Sequence, residues 1–189
     1  MGRAQEEWLV FGGCALSSPR PIILIGLSGA GKTTVAKLVA PILGSSWCDL
    51  DARIELRAGK SINNLFADEG EAKFRELEHE LMRDAVAGGP KVIAAGAGWA
   101  AQPGNLAAVT PAAYVVYLSI GVAEAASRLA TVTDRPLLAG GSAEERIREQ
   151  LAARESWYRR ADIEIPVAGT GPETAAKAVA AAARQFAGW

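Results

Sequence analysis

Ile22-Ile23-Leu24-Ile25-Gly26-Leu27-Ser28-Gly29-Ala30-Gly31-Lys32-Thr33-Thr34 is the stretch from which the rest of the chain can be read. Its first four residues are large and mostly β-branched, which suits a short strand buried on both faces. Gly26 through Thr33 then has the spacing of a phosphate-binding loop, G-x-x-x-x-G-K-[ST]. Glycines let such a loop curl until successive backbone N–H groups point at phosphate oxygens, and the helix after it adds its positive end. Lys32 is expected to reach the β and γ phosphates, and the Thr33 hydroxyl to ligate magnesium. Gly29, Ala30, Gly31 and Thr34 complete the expected nucleotide-binding set, with ATP and Mg2+ as the ligands. A Gly-rich turn without function is the plainer alternative, and placement between a strand and a helix weighs against it.

Outward from this loop, apolar runs alternate between strand and helix periods. Thr33–Leu43 is predicted helical, Ser46–Leu50 a strand and Asp51–Ala58 a short helix. A longer helix is predicted over Glu71–Ala87, with Phe74, Leu77, Leu81 and Ala85 on one face. Strands are predicted at 92–95, 114–118 and 163–167, and helices at Val122–Ala130, Glu144–Arg160 and Pro172–Phe186. Pro172 suits the first turn of the last of these. The alternation predicts a three-layer α/β/α domain over residues 21–189, with a five-stranded parallel sheet whose ligands lie beyond the carboxyl ends of the strands. Residues 1–20 are read as an N-terminal extension, either a loosely ordered tail or, through Trp8 to Phe11, an apolar docking patch.

Composition narrows the function. The formal net charge of -1 over 189 residues offers no overall basic field for nucleic acid or anionic lipid. The two cysteines, Cys14 and Cys48, form neither a C-x-x-C pair nor a disulfide framework. No secretory signal or membrane-length apolar run is seen, so a cytoplasmic protein without membrane or nucleic-acid partners is expected, acting as a monomer on a small molecule.

Several polar residues stand where chemistry could use them. Asp49 and Asp51 close the second predicted strand; a period of two aims both at the site, one for magnesium through water and one to accept a proton from an attacking hydroxyl. Helix capping by Asp51 is the alternative. Arg75 and Glu78, three apart on a helix, form either a surface pair or a guanidinium oriented for a substrate carboxylate. Arg154 falls on the inward stripe Ile147, Leu151, Arg154, Tyr158, where a charge needs a partner, an anion or a path to solvent. Arg135 sits in a loop ending Ala139-Gly140-Gly141, as on a mobile lid. Gly96 and Gly98 let backbone approach a ligand or merely turn. His79 reads as a helix-surface residue.

These residues, in this order, resemble the shikimate kinase family of P-loop small-molecule kinases over about residues 21 to 187. Beyond the phosphate loop, the resemblance rests on Asp49-Leu50-Asp51, the run Ile62 to Glu78 with Phe74-Arg75, Arg135-Pro136-Leu137-Leu138, and Arg154 with Tyr158. It implies that Asp49 is the magnesium-side carboxylate and that Asp51 binds and deprotonates the accepting hydroxyl. It implies that Arg75 and Arg154 hold the substrate carboxylate, with Glu78 bracing Arg75. Arg135 becomes the lid arginine over the phosphates and Arg128 a lid-base arginine near the nucleotide, whose adenine would lie between that base and Thr170 to Pro172.

The chain departs from the family at Gly96-Ala97-Gly98-Trp99, where three consecutive glycines and a small residue are usual and their backbone meets the substrate ring. Ala97 adds a methyl at the acceptor and disfavours a positive φ, and Trp99 is expected to fill or reshape the pocket wall. The expected reaction is phosphorylation of shikimate to shikimate 3-phosphate. The alternatives are another hydroxy acid, such as gluconate or a secondary-metabolite precursor, and a nucleotide-binding regulator without turnover.

Overall fold

The computed structural model describes residues 18–89, 91–130 and 142–189. Its elements run β1 (Ile22–Ile25), α1 (Lys32–Ile42), β2 (Ser46–Asp49), α2 (Leu50–Ala58), α3 (Ile62–Ala87) and β3 (Lys91–Ala94). A 3-10 turn at Trp99–Ala101 comes next, then α4 (Asn105–Val109), β4 (Tyr114–Ser119), α5 (Val122–Ala130), α6 (Ala143–Tyr158), β5 (Ile163–Pro166) and α7 (Pro172–Phe186). The sheet order is β2-β3-β1-β4-β5 and every pairing is parallel.

β1 is central because its residues are the most uniformly apolar. Ile22 pairs with Val92 on one side and Tyr114 on the other, and all four β1 side chains are fully buried. Side chains alternate between faces, so complete burial means both faces are covered. The edge strands need less apolar character: β2 is Ser46-Trp47-Cys48-Asp49, and β5 carries Glu164 and ends at Pro166.

Three local features differ from the sequence reading. α3 begins at Ile62 instead of Glu71: Ser61 caps it by accepting from the Asn64 N–H, and Gly70 (φ 81°, ψ 173°) then bends the chain between two helical arms. Phe66 and Phe74 pack across that bend with ring centroids 4.7 Å apart. The 3-10 turn and α4 lie where no element was expected, being too short to show a period. Arg20, counted with the extension, is tied to the domain: its N–H donates to the Ala187 carbonyl, its guanidinium to the Phe186 carbonyl, and the Trp189 indole donates to its own carbonyl. Trp8 to Phe11 and the expected lid around Arg135 lie outside the described residues.

Leu24→Ala removes a fully buried side chain from the central strand. It should lower stability by about 2–5 kcal/mol, read as a lower denaturant midpoint at unchanged slope.

Candidate active site

The strand-to-helix turn after β1 is forced by its glycines. Gly29 and Gly31 have φ of 85° and 83°, left-handed values that a side chain resists. A Cβ on Gly29 would also lie 2.8 Å from the Ala125 carbonyl oxygen of α5, so this loop is clamped between sheet and helix. α1 starts at Lys32 with no side-chain cap, leaving its first N–H groups turned to the loop. The Lys32 ammonium donates to the carbonyls of Gly26 and Leu27, at 2.9 and 3.0 Å, and is thereby held over the loop.

The Thr33 hydroxyl donates to Asp49 Oδ2 at 2.5 Å. Asp49 ends β2 and caps α2, its Oδ1 accepting from the Ala52 N–H at 3.2 Å. Asp51 lies in the first turn of α2, so strand alternation is not what aims it; the helix carries it into the same cleft, and the cap falls to Asp49. The cleft, of about 520 Å³, is lined by the phosphate loop, Asp49, Asp51, Ala97 and Arg128, among others.

Beside Asp51, Glu78 is 1% exposed on α3. Burial pushes its carboxyl above the ordinary carboxylate range, the Arg75 guanidinium opposes that shift, and the Asp51 charge adds to it. Arg75 donates to Glu78 at 2.7 Å and to Glu71 at 3.0 and 3.1 Å, so two carboxylates fix the plane of its guanidinium. Neither Gly96 nor Gly98 has a positive φ; what distinguishes them is space, lacking at Gly96 and tight at Gly98. A Cβ on Gly96 would sit 2.8 Å from Glu78 Oε1 and 2.9 Å from Asp51 Oδ1, and one on Gly98 would sit 3.1 Å from Arg75 Nη2. Ala97 between them has no positive φ either, so its methyl carries no backbone strain and lines the cleft.

Arg154 is half-buried on α6, on the inward stripe expected of it, with Ile147 and Tyr158 buried before and after it on the helix. Its charge acts on Glu78 and on Tyr158. Trp99 does not reach the cleft. It is buried in the 3-10 turn and borders a separate groove between α3 and α4, beside the exposed His79.

At the far end of the cleft, Arg128 donates to Glu124 at 2.6 Å, to the Val167 carbonyl at 3.2 Å and to the Gly29 carbonyl at 3.5 Å. Glu124 also accepts from the Gly169 N–H at 3.1 and 3.2 Å, fastening the turn before α7 to α5. Sequence reasoning missed Glu124, although its spacing from Arg128, four residues on one helix, was visible. Thr170 and Pro172 line this end, and the buried Thr170 hydroxyl has no hydrogen-bond partner among the described residues. Arg135 lies outside the described residues.

A phosphate loop at the switch from strand to helix, sharing one cleft with Asp51, beside which the Arg75–Glu78 pair is packed, defines a P-loop phosphotransferase acting on a small molecule. The family model described as shikimate kinase matches residues 28–184. The chain belongs to the shikimate kinase family. A shikimate kinase of Geobacter metallireducens is 41% identical over 159 residues, covering 84% of this chain and 89% of the relative. One from Chlorobium chlorochromatii is 42% identical over 155 residues, covering 78% and 82%. The solved shikimate kinase from Acinetobacter baumannii in complex with shikimate superposes with a TM-score of 0.81 at 31% identity, covering 87% of this chain and 93% of that one.

Gly96→Ala would press a methyl between Asp51 and Glu78 and should lower kcat/KM for the acceptor at least tenfold, while ATP affinity stays within about threefold. Ala97→Gly meets no such contact and should leave ATP affinity unchanged, lowering the melting temperature by no more than about 4 °C through the freer unfolded chain. Steady-state kinetics with each substrate varied in turn checks both variants.

Proposed function

We propose that this chain transfers the γ-phosphoryl group of ATP to the 3-hydroxyl of shikimate, giving shikimate 3-phosphate and ADP. The observation that carries the reading is the Arg75–Glu78 pair packed against Gly96 and Gly98, beside Asp51 and across from the phosphate loop. A planar guanidinium held by two carboxylates recognises a third, on the substrate, in a bidentate manner. Arg154 supplies the second positive charge on the acceptor side.

Asp51 takes the proton from the acceptor hydroxyl as its oxygen attacks the γ phosphorus. The bond from that phosphorus to the β–γ bridging oxygen breaks, and ADP carries the charge away. Lys32 and the N–H groups of Gly29, Ala30 and Gly31 hold the phosphates, with Thr34 next in the helix. Arg128, and Arg135 from the segment outside the described residues, act at the nucleotide and the transferring phosphate. Thr33 and Asp49 offer two hard oxygen donors at the foot of the loop, a fit for magnesium that keeps most of its shell from phosphates and water. Bound there, magnesium neutralises charge on the phosphates.

We place the enzyme in the cytoplasm, where two cysteines without a disulfide framework fit, and read it as a monomer; no helix among the described residues is long and apolar enough to cross a membrane. Residues 1–20 are read as dispensable for chemistry.

ADP release coupled to a spectrophotometric readout tests the assignment. Shikimate should support turnover, and its methyl ester should do so about 10- to 100-fold less well in kcat/KM, the loss of one charge-assisted contact. Equal rates on acid and ester would rule out carboxylate recognition. Asp51→Asn should cut kcat by roughly 10²–10⁴ with ATP affinity retained; loss of ATP affinity instead would move Asp51 to the metal or the fold.

A further inference from the structure

Tyr158, the last residue of α6, is fully buried, yet its hydroxyl reaches the acceptor loop: Oη donates to the Ala97 carbonyl at 2.5 Å across 61 positions of sequence. Its ring stacks on Tyr117 of β4 at 5.1 Å between centroids, so the phenol is held from the sheet side. Arg154 lies one helical turn earlier on the same face, donates to Gln150 Oε1 at 3.4 Å, and places its charge near that phenol. One hydroxyl therefore joins the end of α6, a turn beyond Arg154, to the backbone of the Gly96-Ala97-Gly98 loop.

The loop needs such a tie. Side chains from α2 and α3 crowd Gly96, which fits only because it lacks a Cβ, and press close to Gly98; that crowding limits where the loop can go but does not hold it there. Its internal bonds run onward, from the Trp99 N–H to the Gly96 carbonyl and from the Ala101 N–H to the Gly98 carbonyl. Tyr158 adds a side-chain hydrogen bond that reaches this loop from another element. Burial raises the phenol's pKa above its ordinary value, so the hydroxyl stays protonated and keeps donating through the working range of pH.

The geometry points to Tyr158 as a positioning residue that sets the separation between Arg154 and the acceptor loop, and so tunes acceptor affinity without touching the acceptor. The inference rests on the acceptor chemistry proposed above. Tyr158→Phe keeps the stacked ring and removes only the hydroxyl. The KM for shikimate should rise about three- to tenfold, the worth of one hydrogen bond, with the KM for ATP unchanged. Amide hydrogen exchange in peptides covering residues 96–101 should quicken by about the same factor, with the peptide covering 26–33 unaffected. A parallel rise in both KM values, unchanged exchange at 96–101, or a variant that does not fold would each overturn the positioning role and leave Tyr158 a packing residue. If the unaltered enzyme does not phosphorylate shikimate, the proposed reaction fails, and the exchange comparison alone decides for or against Tyr158.

Discussion

The parallel ladder that holds β1 between β3 and β4 is the constraint on which the rest depends. It sets Leu24 level with Ala94 and Val116, and the Ala95 N–H continues it by donating to the Leu24 carbonyl. β2 joins in register on the far side of β3, Asp49 level with Ala94. The carboxyl ends of β1, β2 and β3 therefore stop at one height, and three segments meet at one edge: the phosphate loop, the Asp49–Asp51 turn and the glycine loop. In a parallel sheet the connections at that edge are free to vary while the strands beneath them cannot move. A cavity under β1 would loosen all three at once.

The charges at that edge are arranged for geometry at some expense in stability. Glu78 is buried with one oxygen that finds no hydrogen-bond partner among the described residues, and its neighbour Asp51 repels it. A buried ion pair of this kind contributes little net stability, because desolvation cancels much of the attraction. What it supplies is a guanidinium that cannot rotate, since Arg75 is gripped by Glu71 as well as by Glu78 and lies over the Phe74 ring. Sites that must act on a charged substrate commonly accept such a local cost. With a formal charge of only -1 over the whole chain, anion binding has to come from fixed local cations of this sort and not from a long-range field.

The parts legible in the sequence were those where one residue type answers one physical demand. Ile22 to Ile25 could only be an interior strand, the glycines before Lys32 could only make a tight turn, and α5 and α7 run over the predicted residues because an apolar stripe and Pro172 mark them. Where several weak cues compete, sequence reasoning fails. The first arm of α3 is only two turns long before Gly70, too short for Ile62, Leu65 and Phe66 to show a period, so its start at Ser61 looks like loop. Asp51 has the spacing of a strand residue although β2 stops at Asp49, because a strand ending in a helix cap reads the same as a strand two residues longer. Trp99 belongs to the pocket wall by proximity in sequence, and the 3-10 turn carries it away.

Ala97 shows how a glycine-rich segment can change without losing its purpose. At Gly96 the carboxylates of Asp51 and Glu78 occupy the volume where a Cβ would go, and at Gly98 a Cβ would press on the Arg75 guanidinium. At the middle position the contact with α6 is made by the backbone carbonyl, which Tyr158 grips whatever the side chain. A methyl there adds no strain, since φ is not positive, and the residue lines the cleft. The same three residues thus divide their duties: the outer two are held by packing against charged side chains, and the middle one by its oxygen. Its side chain is left free to shape the cleft surface, so a change at residue 97 alters that surface before it alters the placement of Asp51 or Arg75.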